Sequence, residues 1–329
     1  MAVVTNTFRT SSAVGNREEL SDVVSRITPE DTPVYSMIGK DSITSTHPEW
    51  ETETLNAPAA NAQEEGDDWS FSSITAPSRM GNYTQIMNKR RIISATQEEV
   101  KDAGGIQKVK HQKLLMGIEL RKDVELAIVT NTASVAGTTR YLGGLPSWLT
   151  SNVSRNSGSN GGFNSGTGLT VAETPGTQRA FTKALLDTVM QSAYTSGANV
   201  GHLVVSPYVK SVFVTFMSDG NVAAFRYAAQ DGKNNSIVAT ADVYEGPFGK
   251  VLVHPNRVMA TSAGVARRAF LIDTDMMDFC WLRKIQSVPN LAKTGDAEKM
   301  VLVGEGTLKV KNEAGLGVIA DLYGLTAST

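Results

Sequence analysis

Cysteine is almost missing from this chain. Among its 329 residues there is one, Cys280, which excludes an intramolecular disulfide and a multi-cysteine zinc site and points to a reducing cytosol. Cys280 sits between Phe279 and Trp281 in an apolar run, so a buried, inert thiol is expected rather than a nucleophile. Histidine is scarce as well. His47, His111, His202 and His254 lie far apart, no two at ligand spacing, and ordinary hydrogen-bonding roles are expected of them. No window approaches the roughly 18 consecutive apolar residues of a membrane-spanning helix. The opening stretch, broken by Thr, Asn and Arg, lacks the apolar segment of a secretory signal, so no membrane partner is expected. An excess of one charge is also lacking. The 31 Lys and Arg against 33 Asp and Glu leave a net charge of −2, which gives no strong electrostatic footprint for nucleic acid or an anionic membrane.

The motifs of catalysis and cofactor binding are missing too. Gly315-Leu316-Gly317-Val318-Ile319-Ala320 matches a loose dinucleotide fingerprint, but only nine residues follow Ala320. That leaves no room for the helix, second strand and acidic residue that the fold requires. Gly39-Lys40, Gly232-Lys233 and Gly249-Lys250 lack the rest of a phosphate loop, and neither G-x-S-x-G nor H-E-x-x-H occurs. Asp273-Thr274-Asp275 opens like a calcium loop, but Asp278 stands where glycine belongs and Lys284 where glutamate belongs. No catalytic residue, cofactor or metal is therefore expected.

Hydrophobic residues make up 41% of the chain and charged ones 19%, the proportions of a globular protein. From Gly105 to about Asn131 there is no proline, and Ile106, Val109, Met116, Leu120, Val124 and Ala127 recur at helical spacing. This predicts a helix roughly 40 Å long, with Lys108, Gln112, Glu119, Lys122 and Asp123 on a solvated flank. It reads either as a long core helix or as a spine joining an arm to a body. Upstream, Arg17–Ile27 forms a short amphipathic helix on pattern, and Thr32–Gly39 an extended apolar plug. Glu49, Glu51 and Glu53 alternate at strand period. A return run over 79–94 carries Lys89-Arg90-Arg91, and one register pairs Glu51 with Lys89 and Glu49 with Arg91. Apolar residues on both faces of that run, Tyr83, Met87 and Ile93 against Ile86 and Ile92, need cover from the chain's own body or from a neighbouring chain. Ser151–Gly168 reads as a flexible loop. A helix over 177–196 ending at Gly197, a strand His202–Val205 and a helix opening at Ser206-Pro207 follow. The remainder reads as strands: 237–244, 251–253, 267–272, 278–285, 300–303, 307–311 and 317–321.

Taken together and in order, several stretches resemble the major capsid proteins of tailed bacteriophages. They are Asn16–Lys40, His47–Leu55, Asn82–Gly104, His111–Asn131, Arg140–Leu149, Val243–Arg257 and Leu291–Gly315. The resemblance implies an α+β chain with the Hong Kong ninety-seven capsid fold. Its parts would be an N-terminal arm (1–37), an extended β-hairpin loop (38–95) and a peripheral domain (96–176) with a spine helix over 104–131 and the flexible loop 151–168. An axial domain (177–265) and a return to the peripheral domain (266–329) would complete it. It implies a non-enzymatic subunit that assembles into hexamers and pentamers of an icosahedral virion shell, in the bacterial host cytoplasm, around double-stranded DNA touched non-specifically. Decoration or cement and portal proteins would be further partners. Inter-subunit contact would fall to Trp50, Glu51, Glu53, Tyr83, Lys89, Arg90 and Arg91. Three other readings stay open: an encapsulin-type compartment shell, a soluble enzyme with an unfamiliar site, and a carbohydrate-binding module using Trp50, Trp69 and Trp148.

Overall fold

The computed structural model describes residues 27–68, 71–101, 108–216, 242–293 and 295–328. Helix α1 (Pro33–Met37) leads into strand β1 (Gly39–Ser42). The pair β2 (Glu49–Thr52) and β3 (Ser78–Gly81) precedes β4 (Gln85–Ser94), and α2 (Ala95–Glu99) and the long α3 (Val109–Val129) follow. The expected helix over Arg17–Ile27 falls almost wholly outside the described residues.

Helix α3 has 21 residues, about 31 Å, and starts later than its sequence pattern predicts. Met116, Leu120, Val124 and Ile128 are fully buried, four-residue steps that keep one face inward. That face lies on a four-stranded sheet ordered β1-β12-β13-β4, with β12 spanning Met277–Ser287 and β13 spanning Ala297–Val310. Strand β13 was expected as two pieces, 300–303 and 307–311, but it runs unbroken through Gly304 and Gly306. Here glycine makes room rather than a turn. A Cβ at Gly304 would stand 2.9 Å from the ring of Trp281, and one at Gly306 2.6 Å from the ring of Phe279. Those rings meet at 4.8 Å, and Tyr35 of α1 closes on Phe279 edge-on at 5.7 Å.

The remaining strands are β5 (Val153–Ser154), β6 (Gly162–Asn164), β7 (Leu169–Val171), β8 (His202–Val205), β9 (Val243–Gly246), β10 (Gly249–Pro255), β11 (Ala269–Ile272) and β14 (Gly317–Ile319). Six of them form a second sheet, β5-β14-β11-β8-β10-β9. Strand alternation gives it two buried faces. Val204, Phe270, Ile272 and Val318 join the core under α3. Leu203, Val205, Leu271 and Ile319 join a second core with α4 (Lys183–Thr195) and α5 (Pro207–Thr215). One sheet is thus the shared wall of both cores. Its strands come from three separate stretches of chain, and β5, β11 and β14 lie outside 177–265. Ser206 caps α5 by accepting from the Val209 amide, and Gly197 takes a φ of +86° beyond α4, as the sequence predicts. The Ser151–Gly168 stretch departs from its composition. It holds β5 and β6, β6 pairing with β7 just beyond it, and buried Asn152 donates to the carbonyls of Ala314 and Leu316.

Residues 33–37 are a helical turn, not an extended plug, and the cause lies 91 residues away. Glu125 of α3, fully buried, accepts from the backbone amides of Val34 at 3.0 Å and Tyr35 at 2.7 Å. It also accepts from Asn256 Nδ2 at 2.6 Å. With Pro33 opening α1, this carboxylate satisfies amides that a helix start leaves free. Burial pushes its pKa above the ordinary 4.5, partly offset by the bonds from Tyr35, Val34 and Asn256. The segment at 33–37, α3 and the end of β10 therefore meet on one side chain. Glu125→Gln keeps the shape but leaves one acceptor oxygen for three donors. We expect it to destabilise the folded chain by about 1–3 kcal/mol in denaturant unfolding. A change within about 0.5 kcal/mol, the range of ordinary surface substitutions, would show that the carboxylate is not the anchor.

Candidate assembly surfaces

The return run of the expected hairpin is split in two. Strand β3 pairs with β2 in the register Glu49↔Gly81, Trp50↔Met80, Glu51↔Arg79 and Thr52↔Ser78. Strand β4 then leaves β2 and pairs along its whole length with β13. The expected pairing of Glu51 with Lys89 and of Glu49 with Arg91 is therefore corrected: Glu49 bridges to Arg79 instead. The split is fixed at Asn82, whose buried side chain donates to the carbonyls of Gly143 and Leu308 and accepts from the Gly143 amide. Between β2 and β3 the chain makes a long excursion. Its described residues, 53–68 and 71–77, are all exposed, among them Leu55 at 97%, Phe71 at 91% and Ile74 at 94%.

Lys89 and Arg91 find their counter-charges on α3. Lys89 Nζ lies 2.6 Å from Asp123, and Arg91 lies 2.5 Å from Glu119 and also bonds Gln112. The α3 flank expected to face solvent is thus clipped to β4. The spacing is physically matched: four residues of helix rise about 6 Å and two of strand about 6.6 Å. Running in opposite directions, Lys89 to Arg91 and Asp123 to Glu119 therefore stay in step, a spacing already present in the sequence. The other face of β4 is uncovered, with Ile86 48% and Ile92 59% exposed, and β4 is the edge strand of its sheet.

The seven contact candidates therefore separate. Trp50 lies on its own body, its indole donating to the Val310 carbonyl at 2.9 Å and its ring 5.6 Å from buried Trp148. Tyr83 stacks on His47 at 4.2 Å. Lys89 and Arg91 are paired as above. Glu51, Glu53 and Arg90 remain exposed, Arg90 donating to Asn88 at 2.9 Å. Trp148 is 1% exposed, so no sugar stacks on it, and Trp69 lies outside the described residues.

A second polar centre, which the sequence did not reveal, ties this region together. Glu305 of β13, 3% exposed, accepts from Thr84 at 2.9 Å, Arg140 at 2.7 Å and Arg283 at 2.8 Å. Burial alone would raise its pKa, but Thr84, Arg283 and Arg140 outweigh that and hold it below the ordinary 4.5. The motif residues behave as structure. Cys280 is fully buried, and burial with nearby Asp41 pushes its thiol up to about 11. Gly317–Ile319 of the loose fingerprint is buried strand β14. Asp273 caps a short 3-10 turn by accepting from the Asp275 amide. His202 and His254, distant in sequence, meet on adjacent strands with Nδ1 and Nε2 at 3.0 Å. Burial first, then the charges of His202 and Lys210, lower the His254 pKa. Among the described residues no three His, Cys, Asp or Glu side chains group as metal ligands.

The family described as SU10 major capsid protein matches residues 3–323. The major capsid protein of Escherichia phage Phieco32 is 24% identical over 358 residues, covering 95% of this chain and 96% of that one. Among solved structures, a chain from Mycobacterium phage Bobi superposes with a TM-score of 0.61 at 10% identity, over 93% of this chain and 95% of that one. A chain from the capsid of a native GTA particle gives 0.61 at 10% identity, over 95% and 97%. A chain from the phage G major capsid and decoration proteins gives 0.52 at 9%, over 99% and 100%. At such identities these structures establish the fold.

Two predictions follow from the buried groups. Because the Glu305 pKa is depressed in the folded chain, its contribution is full above the ordinary 4.5 and is lost as pH falls through the folded value. Glu305→Gln should flatten the acid limb of the stability–pH curve, and an unchanged limb would remove Glu305 from that role. Native subunits should resist a maleimide at pH 7 and take up one equivalent only after unfolding, as mass spectrometry would show.

Proposed function

We propose, for a chain that belongs to the SU10 major capsid protein family, that the excursion over 53–77 is the arm by which one subunit holds the next. The chain is a structural subunit of a tailed-phage capsid and not an enzyme. The observation that carries the proposal is the exposure of Leu55, Phe71 and Ile74 on a segment that leaves its own body. Burying each such side chain is worth roughly 1.5–3 kcal/mol, and an adjacent copy supplies the cover. Exposed Ile86 and Ile92 on edge strand β4 add a second surface of the same kind.

The division of labour we infer places the four-stranded sheet and α3 in the peripheral domain, and the six-stranded sheet with α4 and α5 in the axial domain. Axial contacts close hexamers and pentamers, and arms join neighbours. Each contact is weak alone and strong in number. Glu51, Glu53 and Arg90 remain contact residues in this scheme. Packaged double-stranded DNA touches the inner face without sequence preference. A decoration protein and a portal complete the particle, and assembly takes place in the host cytoplasm.

Thr52 and Ser78 are register partners, so replacing 56–75 with a short glycine turn leaves the body's own strands joined. The truncated subunit should keep its thermal midpoint yet form few or no closed shells by negative-stain electron microscopy. A collapse of the midpoint would place the arm in its own core, and normal shells would remove it from assembly.

A further inference from the structure

Several loops gather at one end of the six-stranded sheet. Strands β5 and β14 are parallel neighbours, and β11 runs antiparallel to β14. The residues just after β5 and β14 and just before β11 therefore share that end. They are Arg155, Asp321 and the pair Arg267-Arg268. A bridge between Arg179 and Leu322 brings in a fourth arginine, and Glu173 reaches in from beyond β7. Four guanidinium groups thus meet two carboxylates, whose side chains are 1% exposed. Both carboxylates are already engaged. Glu173 accepts from Arg155 and from Arg268 Nε, the latter at 2.5 Å. Asp321 accepts from Arg267 at 3.0 Å and from the amides of Gly176 at 2.8 Å and Asn156 at 3.2 Å. No other described acid is in an ion pair with any of the four arginines. The cluster therefore holds a surplus of two positive charges. Three of its N–H groups, at Arg155 Nη1, Arg179 Nε and Arg267 Nε, lie out of water with no acceptor. Arg155 Nη1 stands 4.0 Å from Asp321, beyond hydrogen-bond reach. Burial pushes the Arg179 and Arg268 pKa values below the ordinary 12.5, yet a guanidinium does not give up its proton inside a protein. A lysine or histidine in this place could turn neutral; these groups cannot. Buried charge is costly unless something of opposite sign meets it.

We propose that this arginine cluster is a binding site for a small tetrahedral oxyanion, inorganic phosphate or sulfate. Such an anion brings about two negative charges at neutral pH, the size of the surplus. Its oxygens accept guanidinium N–H groups in pairs, which answers the donors left without acceptors. The cluster keeps one side open to solvent, since the Arg267 side chain is 15% exposed and Arg179 is half-buried. Arg155 and Arg268, at 7% and 1%, lie beneath. A phosphodiester of nucleic acid carries one charge per phosphate and is tied to a backbone that stays outside, so it answers the buried donors less well. The bound anion joins four loops of a single chain, those at 155, 179, 267–268 and 321. The site therefore goes beyond the assembly reading above and does not depend on it.

The test uses the full-length chain, purified and dialysed in chloride. Anion released on denaturation is measured by ion chromatography. Inorganic phosphate or sulfate is then titrated at constant ionic strength while the thermal midpoint is followed. About one equivalent per chain, released or taken up, is expected. On uptake the midpoint should rise by roughly 3–5 °C at a hundredfold excess over the dissociation constant. These anions stabilise proteins generally at high concentration, so the result lies in the saturable part of the rise and in its loss on mutation. Arg179→Gln with Arg267→Gln removes the surplus and should abolish uptake. Should circular dichroism show that this pair misfolds, Arg179→Gln alone replaces it and should weaken binding roughly tenfold or more. A wild-type chain that neither releases an oxyanion nor shows a saturable shift would overturn the proposal. So would variants that bind as the wild type does. A duplex DNA fragment that gives the same saturable shift, lost in the same variants, would assign the cluster to nucleic acid and overturn it as well.

Discussion

A carboxylate sealed from water sets the frame of this subunit. Glu125 stands near the C-terminal end of the long helix, and it is tolerable there only because three donors converge on it. An ionised group in a low-dielectric interior is costly unless its lone pairs are met. The segment at 33–37 and Asn256 are therefore drawn to one point from opposite ends of the chain. Asn256 is itself fixed by the Val205 carbonyl and in turn caps the Val258 amide, so the anchor reaches the strands of the six-stranded sheet. The aromatic cluster of Tyr35, Phe279 and Trp281 packs around the same junction.

Charge does the complementary work on the other side of the helix. Strand β4 is an edge strand, free to pair elsewhere on hydrogen-bonding grounds alone. Two ion pairs to α3 and the Glu305 centre fix where its inner face lies. Its outer face keeps Ile86 and Ile92 in water. One face of β4 is thus pinned to its own body and the other is open to solvent. The six-stranded sheet is buried on both faces, and side chains on alternate positions of a single strand enter the core under α3 and the core with α4 and α5.

Much of this was written plainly in the chain. The buried stripe Met116, Leu120, Val124 follows from helical period, the strand His202–Val205 from its apolar run, and the start of α5 from Ser206-Pro207. The fold class and the capsid family were also within reach, because many short stretches matched in order. Other features depended on partners remote in sequence. Thr32–Gly39 has the composition of an extended segment, and only a carboxylate 91 residues away turns part of it into helix. Gly304 and Gly306 looked like a strand break because glycine signals turns by default, whereas here two rings need the space. The hairpin register fails because it pairs Lys89 and Arg91 with acids of the preceding extended run, Glu51 and Glu49, although Asp123 and Glu119 lie nearer in sequence. The true partners, Glu119 and Asp123, read in sequence as the solvated polar flank of an amphipathic helix.

The lone thiol has a practical corollary. Cys280 is enclosed between strands and held largely protonated, so the subunit arrives chemically silent toward electrophiles in water. A reporter group tethered through a cysteine engineered on the 53–77 excursion would therefore speak for that excursion alone, with no background from the body, and could follow its environment from free subunit to finished particle.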